Sequence, residues 1–298
     1  MRPGLLGRCA LALGFLLMSG LAGSAGPQAR AAQIGSFVWA GQGAEFGGFS
    51  ALHLSPDGRQ IIALSDHGAW ITGQITRDAG VITAISAGPM VRLHDPSGTA
   101  LPIRDRDSEG LTADGAGGYF VSFEGKTRIM RYDAAGMALE TLPRAPEFAT
   151  LARNNGLESL TRAPDGTLYT VPEQPGAADQ PLAVYLFRGG VWQSGGTIAR
   201  RGTFLPVDAA FGPDGRFYLL ERQFLGLGGF ASRLRRFQPG PDGLTDEVTL
   251  FQTDPGDHDN LEGLAIWRDA TGLRATMISD NNFTILFRTE LVEMRLPD

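Results

Sequence analysis

An all-β fold, a β-propeller of five four-stranded blades, is predicted by three features of the sequence. One pattern is written five times: a polar first position, a short apolar run, a glycine turn, a second apolar run and an acid. The copies run from Ser50 to Asp66, Glu109 to Glu124, Glu158 to Glu173, Asp208 to Glu221 and Glu262 to Asp280. Their first positions lie 59, 49, 50 and 54 residues apart, which is about the length of a propeller blade and marks stacked supersecondary units. No segment sustains a helical apolar period, so helix is expected to be scarce. A sixth, degenerate blade has room in the 59-residue first interval.

Residues 1–31 read as a Sec-type signal peptide. Arg2 and Arg8 give a positive start, Cys9 to Leu21 an apolar stretch too short for a membrane span, and Ala29-Arg30-Ala31 a cleavage site. Cleavage is expected after Ala31, with Ala25 as second choice, leaving residues 32–298 as one domain in the periplasm or outside the cell. The only cysteine, Cys9, would leave with the leader, so thiol chemistry and Cys-based metal sites are not expected in the mature protein.

Ile34 to Ala40 follows as a strand with no hairpin partner nearby. Blade one takes Ser50–Leu54, Ile61–Asp66, Ala69–Thr72 and Val81–Ile85. Blade two adds Arg128–Tyr132 to its hairpin, blade three Leu182–Phe187 and Val191–Trp192, and blade four Arg233–Phe237 and Val248–Phe251. The fifth repeat is followed by one further strand, Thr284 to Leu296, so the N-terminal strand is expected to complete the last blade and close the ring. Connectors rich in Pro, Gly, Asp and Asn are expected near 90–106, 143–155, 174–180 and 253–260.

Residues opposed on a hairpin share a midpoint at the turn. The five pairs have midpoints 58, 116.5, 165.5, 214.5 and 271, each on a glycine-containing turn. The two positions of each repeat should therefore lie side by side within about a residue of register, facing the same way. Nine of the ten are carboxylates: Glu109, Glu158, Asp208 and Glu262 in the first position, Asp66, Glu124, Glu173, Glu221 and Asp280 in the second, with Ser50 the exception. Independent capping of strand ends gives no reason for such a register. Blades around an axis would gather these acids at one end of the channel, where an all-oxygen, multiply charged site suits Ca²⁺, in unknown number, before Mg²⁺ and well before zinc.

For a hydrolase, Glu109 or Glu262 is the candidate general base, and His67, next to Asp66, the one histidine of four expected near the site. Arg106, Lys126 and Arg222 adjoin acidic positions and can clamp an anionic substrate, or simply neutralise the acids. His53 alternates into an apolar strand and reads as a core residue. A net charge of −6 offers no basic field for nucleic acid or anionic lipid. The expected partner is a small anionic or ester substrate, with no membrane association after leader cleavage and a monomeric state.

Several runs taken together are familiar: Gly48-Phe49-Ser50-Ala51-Leu52, Ser65-Asp66-His67-Gly68, Arg106-Asp107-Ser108-Glu109-Gly110-Leu111, Asn155-Gly156-Leu157-Glu158-Ser159-Leu160, Leu219-Leu220-Glu221-Arg222-Gln223-Phe224 and Asp259-Asn260-Leu261-Glu262-Gly263 with Ser279-Asp280-Asn281-Asn282-Phe283. Over nearly all of 34–298 the chain resembles the exported phytase-like proteins described as having esterase-like activity. The resemblance implies a β-propeller and hydrolysis of phosphoester or ester bonds. Ser50, His67 and Asn281 depart from the family pattern. Three functions stay open: a calcium-dependent phosphoesterase, a lactonase or carboxylesterase, and a non-catalytic propeller in which calcium is structural.

Overall fold

The structure is a computed structural model and describes residues 30–151, 156–173 and 180–297. The expected leader lies outside the described residues except for Arg30 and Ala31, as do 152–155 and 174–179 of two expected connectors. Five antiparallel sheets are arranged as a propeller. Blade one is β2 (Phe49–Leu54), β3 (Gln60–Ser65), β4 (Ala69–Asp78) and β5 (Val81–Ala87), with the short β6 (Val91–Arg92) added to β4. Blade two is β7 (Ser108–Ala113), β8 (Tyr119–Phe123), β9 (Arg128–Tyr132) and β10 (Ala138–Thr141). Blade three is β11 (Ser159–Arg162), β12 (Leu168–Val171), β13 (Leu182–Arg188) and β14 (Val191–Ile198). Blade four is β15 (Leu205–Phe211), β16 (Phe217–Phe224), β17 (Phe230–Gly240) and β18 (Gly243–Gln252).

Blade five joins β19 (Asn260–Asp269), β20 (Gly272–Asp280) and β21 (Glu290–Arg295) to β1 (Ala32–Val38). Strand β1 runs antiparallel to β21 from Ala32 opposite Arg295 to Val38 opposite Glu290. Ring closure by the N-terminal strand is therefore as expected. The last strand is shorter than the expected Thr284–Leu296, because the chain makes consecutive turns over 282–287 and re-enters the sheet only at Glu290. The long first interval holds no sixth blade: its extra residues form β6, bridges from His94 to Ala100 and Met137, and a 3₁₀ turn at Ile103–Asp105. Helix is confined to three such turns among the described residues.

The hairpin chemistry explains the regularity. In the Pro-Asp-Gly turns, Gly58, Gly166 and Gly215 adopt φ of 68°, 90° and 74°, open to glycine at little cost. The preceding aspartates cap the turn, as when the Arg59 N–H donates to Asp57 Oδ1 at 3.1 Å and the Thr167 N–H to Asp165 Oδ1 at 2.9 Å.

The first strand of each blade lies beside the next around the axis: β2 by β7, β7 by β11, β11 by β15, β15 by β19, and β19 by β2. The core is divided into five wedges between neighbouring blades. Leu64 and Trp70 meet Val121 and Met130 between blades one and two, and Phe49 and Ile61 meet Trp267 and Ile278 between blades five and one. Each fully buried side chain of this size contributes roughly 1.5–3 kcal/mol.

Polar staples tie the wedges together. Ser50 Oγ donates to the Ser108 carbonyl and Ser122 Oγ to the Leu157 carbonyl, both at 2.7 Å. The Phe211 N–H donates to Thr161 Oγ1 at 3.1 Å, the Leu264 N–H to Asp208 Oδ2 at 2.7 Å, and the Gly48 N–H to Asn281 Oδ1 at 3.0 Å. Every blade junction has one, so the strand ends at the axis are held in fixed register.

Candidate metal and catalytic site

The paired acids are offset by a bulge. In blade five Asp280 lies opposite Asn260, and the register slips between Leu261 and Gly263 so that Glu262 is the extra residue. In blade four Glu221 lies opposite Pro206, with the slip between Pro206 and Asp208. Elsewhere the backbone N–H groups of Asp66, Glu124 and Glu173 donate to the carbonyls of Gly48, Asp107 and Gly156. The second acid of all five blades thus faces the residue two before the first position, not the first position itself. A bulge re-aims the side chain that it carries; in blades one and five that residue is the first position, Ser50 and Glu262, whereas in blade four it is Val207 and not Asp208. Gly110 and Gly263 follow bulged glutamates because a β-carbon on Gly110 would strike Leu160, the Ser122 hydroxyl and the Glu158 carbonyl, and one on Gly263 would strike Ile278 and the backbone of Ala51 and Leu52.

Seven of the nine acids meet at one mouth of the channel, joined by Asp107. Carboxylate oxygens of Asp107, Glu109 and Glu124 all lie within 4.8 Å of one another. Asp107 shares a hydrogen bond with Glu109, and Glu124 with Glu158, so these are carboxyl–carboxylate pairs competing for protons. Glu124 Oε1 is held by the Gly156 N–H at 2.8 Å. Burial first, and then the charges of Glu158, Asp107, Glu124 and Glu262, hold the Glu109 carboxyl well above its ordinary range. Glu158 is pushed up in the same way by burial, Glu173 and Glu124. Burial, with Asp107 and Glu262, raises Asp66 to about 7, and burial with Glu262 raises Asp280 to about 8.

Arg222 is the cation inside the group. It donates to Asn260 Oδ1 at 2.8 Å and to Glu262 Oε1, and stands 3.9 Å from Glu173. Burial works against its charge, yet Glu262, Glu158, Glu173 and Glu109 raise its pKa. Arg222 thus pairs with Glu262 of blade five and Glu173 of blade three, while Asp107, Glu109 and Glu124 gather on blade two.

Two acids expected at the site are placed elsewhere. Asp208, 1% exposed, accepts from the Leu264 and Ala209 N–H groups at 2.7 and 2.8 Å and serves the junction of blades four and five. Glu221 is wholly buried and accepts from Arg233 Nε at 2.7 Å and from Arg235 Nε and an Arg235 terminal nitrogen at 2.9 and 2.5 Å. The shared repeat position does not carry them into the cluster, because β17 supplies arginines to one and β19 a backbone amide to the other.

His67 stacks on Phe283 with ring centroids 4.1 Å apart and Nε2 3.8 Å from Asp66 Oδ1, and burial and then Arg106 lower its pKa. Arg106 adjoins Asp107 and acts on both Asp66 and His67. Lys126 is turned outward and paired with Asp105 at 3.1 Å. His53 is half-buried against Tyr119 and lies with Leu52, Leu111, Ala209 and Leu264 around a cavity of about 220 Å³ along the first strands of the blades. Asp107 and Asn260 were not among the expected site residues; their signal is their place two residues before Glu109 and Glu262, readable once a bulge is assumed.

The family profile "Phytase-like: Esterase-like activity of phytase" matches residues 44–283. The chain belongs to this phytase-like family. No curated protein matches it in sequence. Among solved structures, this phytase-like propeller is similar to a luciferin-regenerating enzyme at 11% identity, covering 88% of this chain and 95% of that one, with a TM-score of 0.45.

The raised carboxyls of the phytase-like site set a pH dependence. A group whose pKa is higher folded than unfolded binds extra protons in the native state between the two values, so stability is lost as pH rises through the folded value. For Asp66 and Asp280 that window runs from near 4 to about 7 and 8. The melting temperature of the metal-free protein should fall by about 5 °C or more between pH 5 and 8.5, and saturating Ca²⁺ should remove most of that fall. A melting temperature level across this range without calcium would show that the cluster carries its charge unopposed.

Proposed function

We propose that this propeller is an exported, Ca²⁺-dependent hydrolase of phosphoester or carboxylic ester bonds. The observation that carries the reading is the convergence of Asp107, Glu109 and Glu124 oxygens within 4.8 Å. Carboxylate oxygens in that number suit a hard cation, and burial makes them costly to ionise without one. Bound there, the ion would supply Lewis acidity to a phosphoryl or carbonyl oxygen. Asp208 and Glu221 stay outside the ligand set in this reading.

The protein's own groups divide the remaining work. Glu262, whose carboxyl pKa burial raises against the opposing pull of Arg222 and Asn260, takes a proton from water. Asp66 and Asp280, poised at about 7 and 8, hold protons near neutrality and suit their return to a leaving oxygen. Arg222 and Arg106 face the anionic part of the substrate, and His67 with Phe283 forms a flat wall beside Asp66. Cations are few beside so many acids, which favours a monoester over a polyphosphate. The acidic mouth and net charge of −6 repel nucleic acid.

The test is release of nitrophenol from p-nitrophenyl phosphate and p-nitrophenyl acetate by purified protein. Turnover of one of them should vanish with chelator and return with Ca²⁺. Turnover indifferent to chelator overturns the metal role, and a calcium-raised melting temperature without turnover on either ester points to a binding propeller.

A further inference from the structure

Two loops leave the acidic mouth beside each other. One connects β16 to β17 and starts three residues after Arg222; the other follows β20 directly from Asp280. Both hold large apolar side chains in water: Phe224 is 64% exposed, Leu286 79%, and Leu227 and Ile285 fully exposed. The loops touch through rings, Phe224 to Phe230 at 4.9 Å and Phe230 to Phe287 at 5.6 Å, so they stand side by side at the rim. Their backbone is shaped for this display: the Leu225 N–H closes on the Gly229 carbonyl at 2.9 Å. At the inner end Phe283 turns back over His67, so the apolar surface reaches the acids. Exposed apolar patches of this kind mark binding surfaces more often than chance.

Resting on the hydrolase reading, we propose that this rim binds the apolar part of the substrate, so that the bond cleaved belongs to an ester or phosphoester bearing a medium alkyl chain or an aryl ring. A wholly hydrophilic substrate would leave the rim wet. A bilayer is the other apolar occupant, but it would press its phosphates against the carboxylates of the mouth, which argues for a single chain.

The experiment compares the protein with its Leu227→Ser/Ile285→Ser double variant on acetyl, butyryl and octanoyl esters of nitrophenol, and on ethyl and octyl phosphate. Each methylene taken from water is worth up to roughly fourfold. The wild type should prefer octanoyl to acetyl in kcat/KM, and the double variant should lose that preference by about tenfold or more. Turnover without chain-length preference, or a preference the variant keeps, overturns the inference and leaves the hydrolase reading standing. Should no ester be cleaved, that reading falls, and calorimetry with octyl- and ethylphosphonate in Ca²⁺ decides the inference alone: tighter octyl binding lost in the variant upholds it, equal binding overturns it. Co-sedimentation with phosphatidylcholine vesicles that the variant abolishes would make the rim a membrane contact and also overturn it.

Discussion

Ca²⁺ titrated into the Glu109→Gln protein should bind about 100-fold more weakly than into the wild type, the scale on which ligand charge tunes such sites. Glutamine keeps the shape of the side chain and its place after the bulge, so the ring should stay assembled. What goes is one of three charges whose oxygens lie within 4.8 Å. Because burial and four neighbouring acids push the Glu109 carboxyl up, wild-type affinity should rise with pH as that carboxyl ionises, and the variant should lack this part of the rise. Glu262→Gln should weaken calcium by less than about tenfold, since Arg222 already answers that charge. Isothermal calorimetry at matched pH separates the two. Equal affinities for wild type and Glu109→Gln would remove Glu109 from the ligands.

The second large effect is on stability. Glu221→Ala should cost about 3–5 kcal/mol, because it strands buried cations without their counter-charge. Arg235 is wholly buried and Arg233 nearly so, and both converge on Glu221. Arg235 would keep the Ala199 carbonyl at 2.8 Å, Glu247 at 3.2 Å and the Phe237 ring at 5.2 Å, and Arg233 the Arg201 carbonyl at 3.0 Å and the Phe204 ring at 4.2 Å. Urea unfolding should show a lower midpoint with an unchanged slope. A loss below about 1 kcal/mol, the range of exposed pairs, would mean that those remaining contacts satisfy the arginines.

The contrast between Glu109 and Glu221 defines how far the sequence could be read. Strand order, turn positions and the closing role of β1 were legible because Pro-Asp-Gly turns and apolar runs are local signals. The offset of the acid pairs was not. A midpoint on the turn fits a regular ladder, and a bulge between Leu261 and Gly263 leaves no mark of its own except the Glu-Gly dipeptide, repeated at Glu109-Gly110. Asp107 was hidden for the same reason. Glu221 occupies the same repeat position as Glu124, and its different fate is decided one strand away, where Arg233 and Arg235 alternate onto a common face opposite it. Asp208 is diverted by the Leu264 amide, a backbone group that residue types do not reveal.

The pairing of β1 with β21 sets a timetable for synthesis. At roughly 5–20 residues per second, β1 leaves the ribosome some tens of seconds before the strand it needs. Throughout that wait blades one to four can form from neighbouring segments, but an unmatched ribbon hangs from one end of a growing arc. Any partner that shelters this ribbon would speed production of the finished protein, and a short peptide copying residues 32–38 would compete for the last blade and hold the arc open.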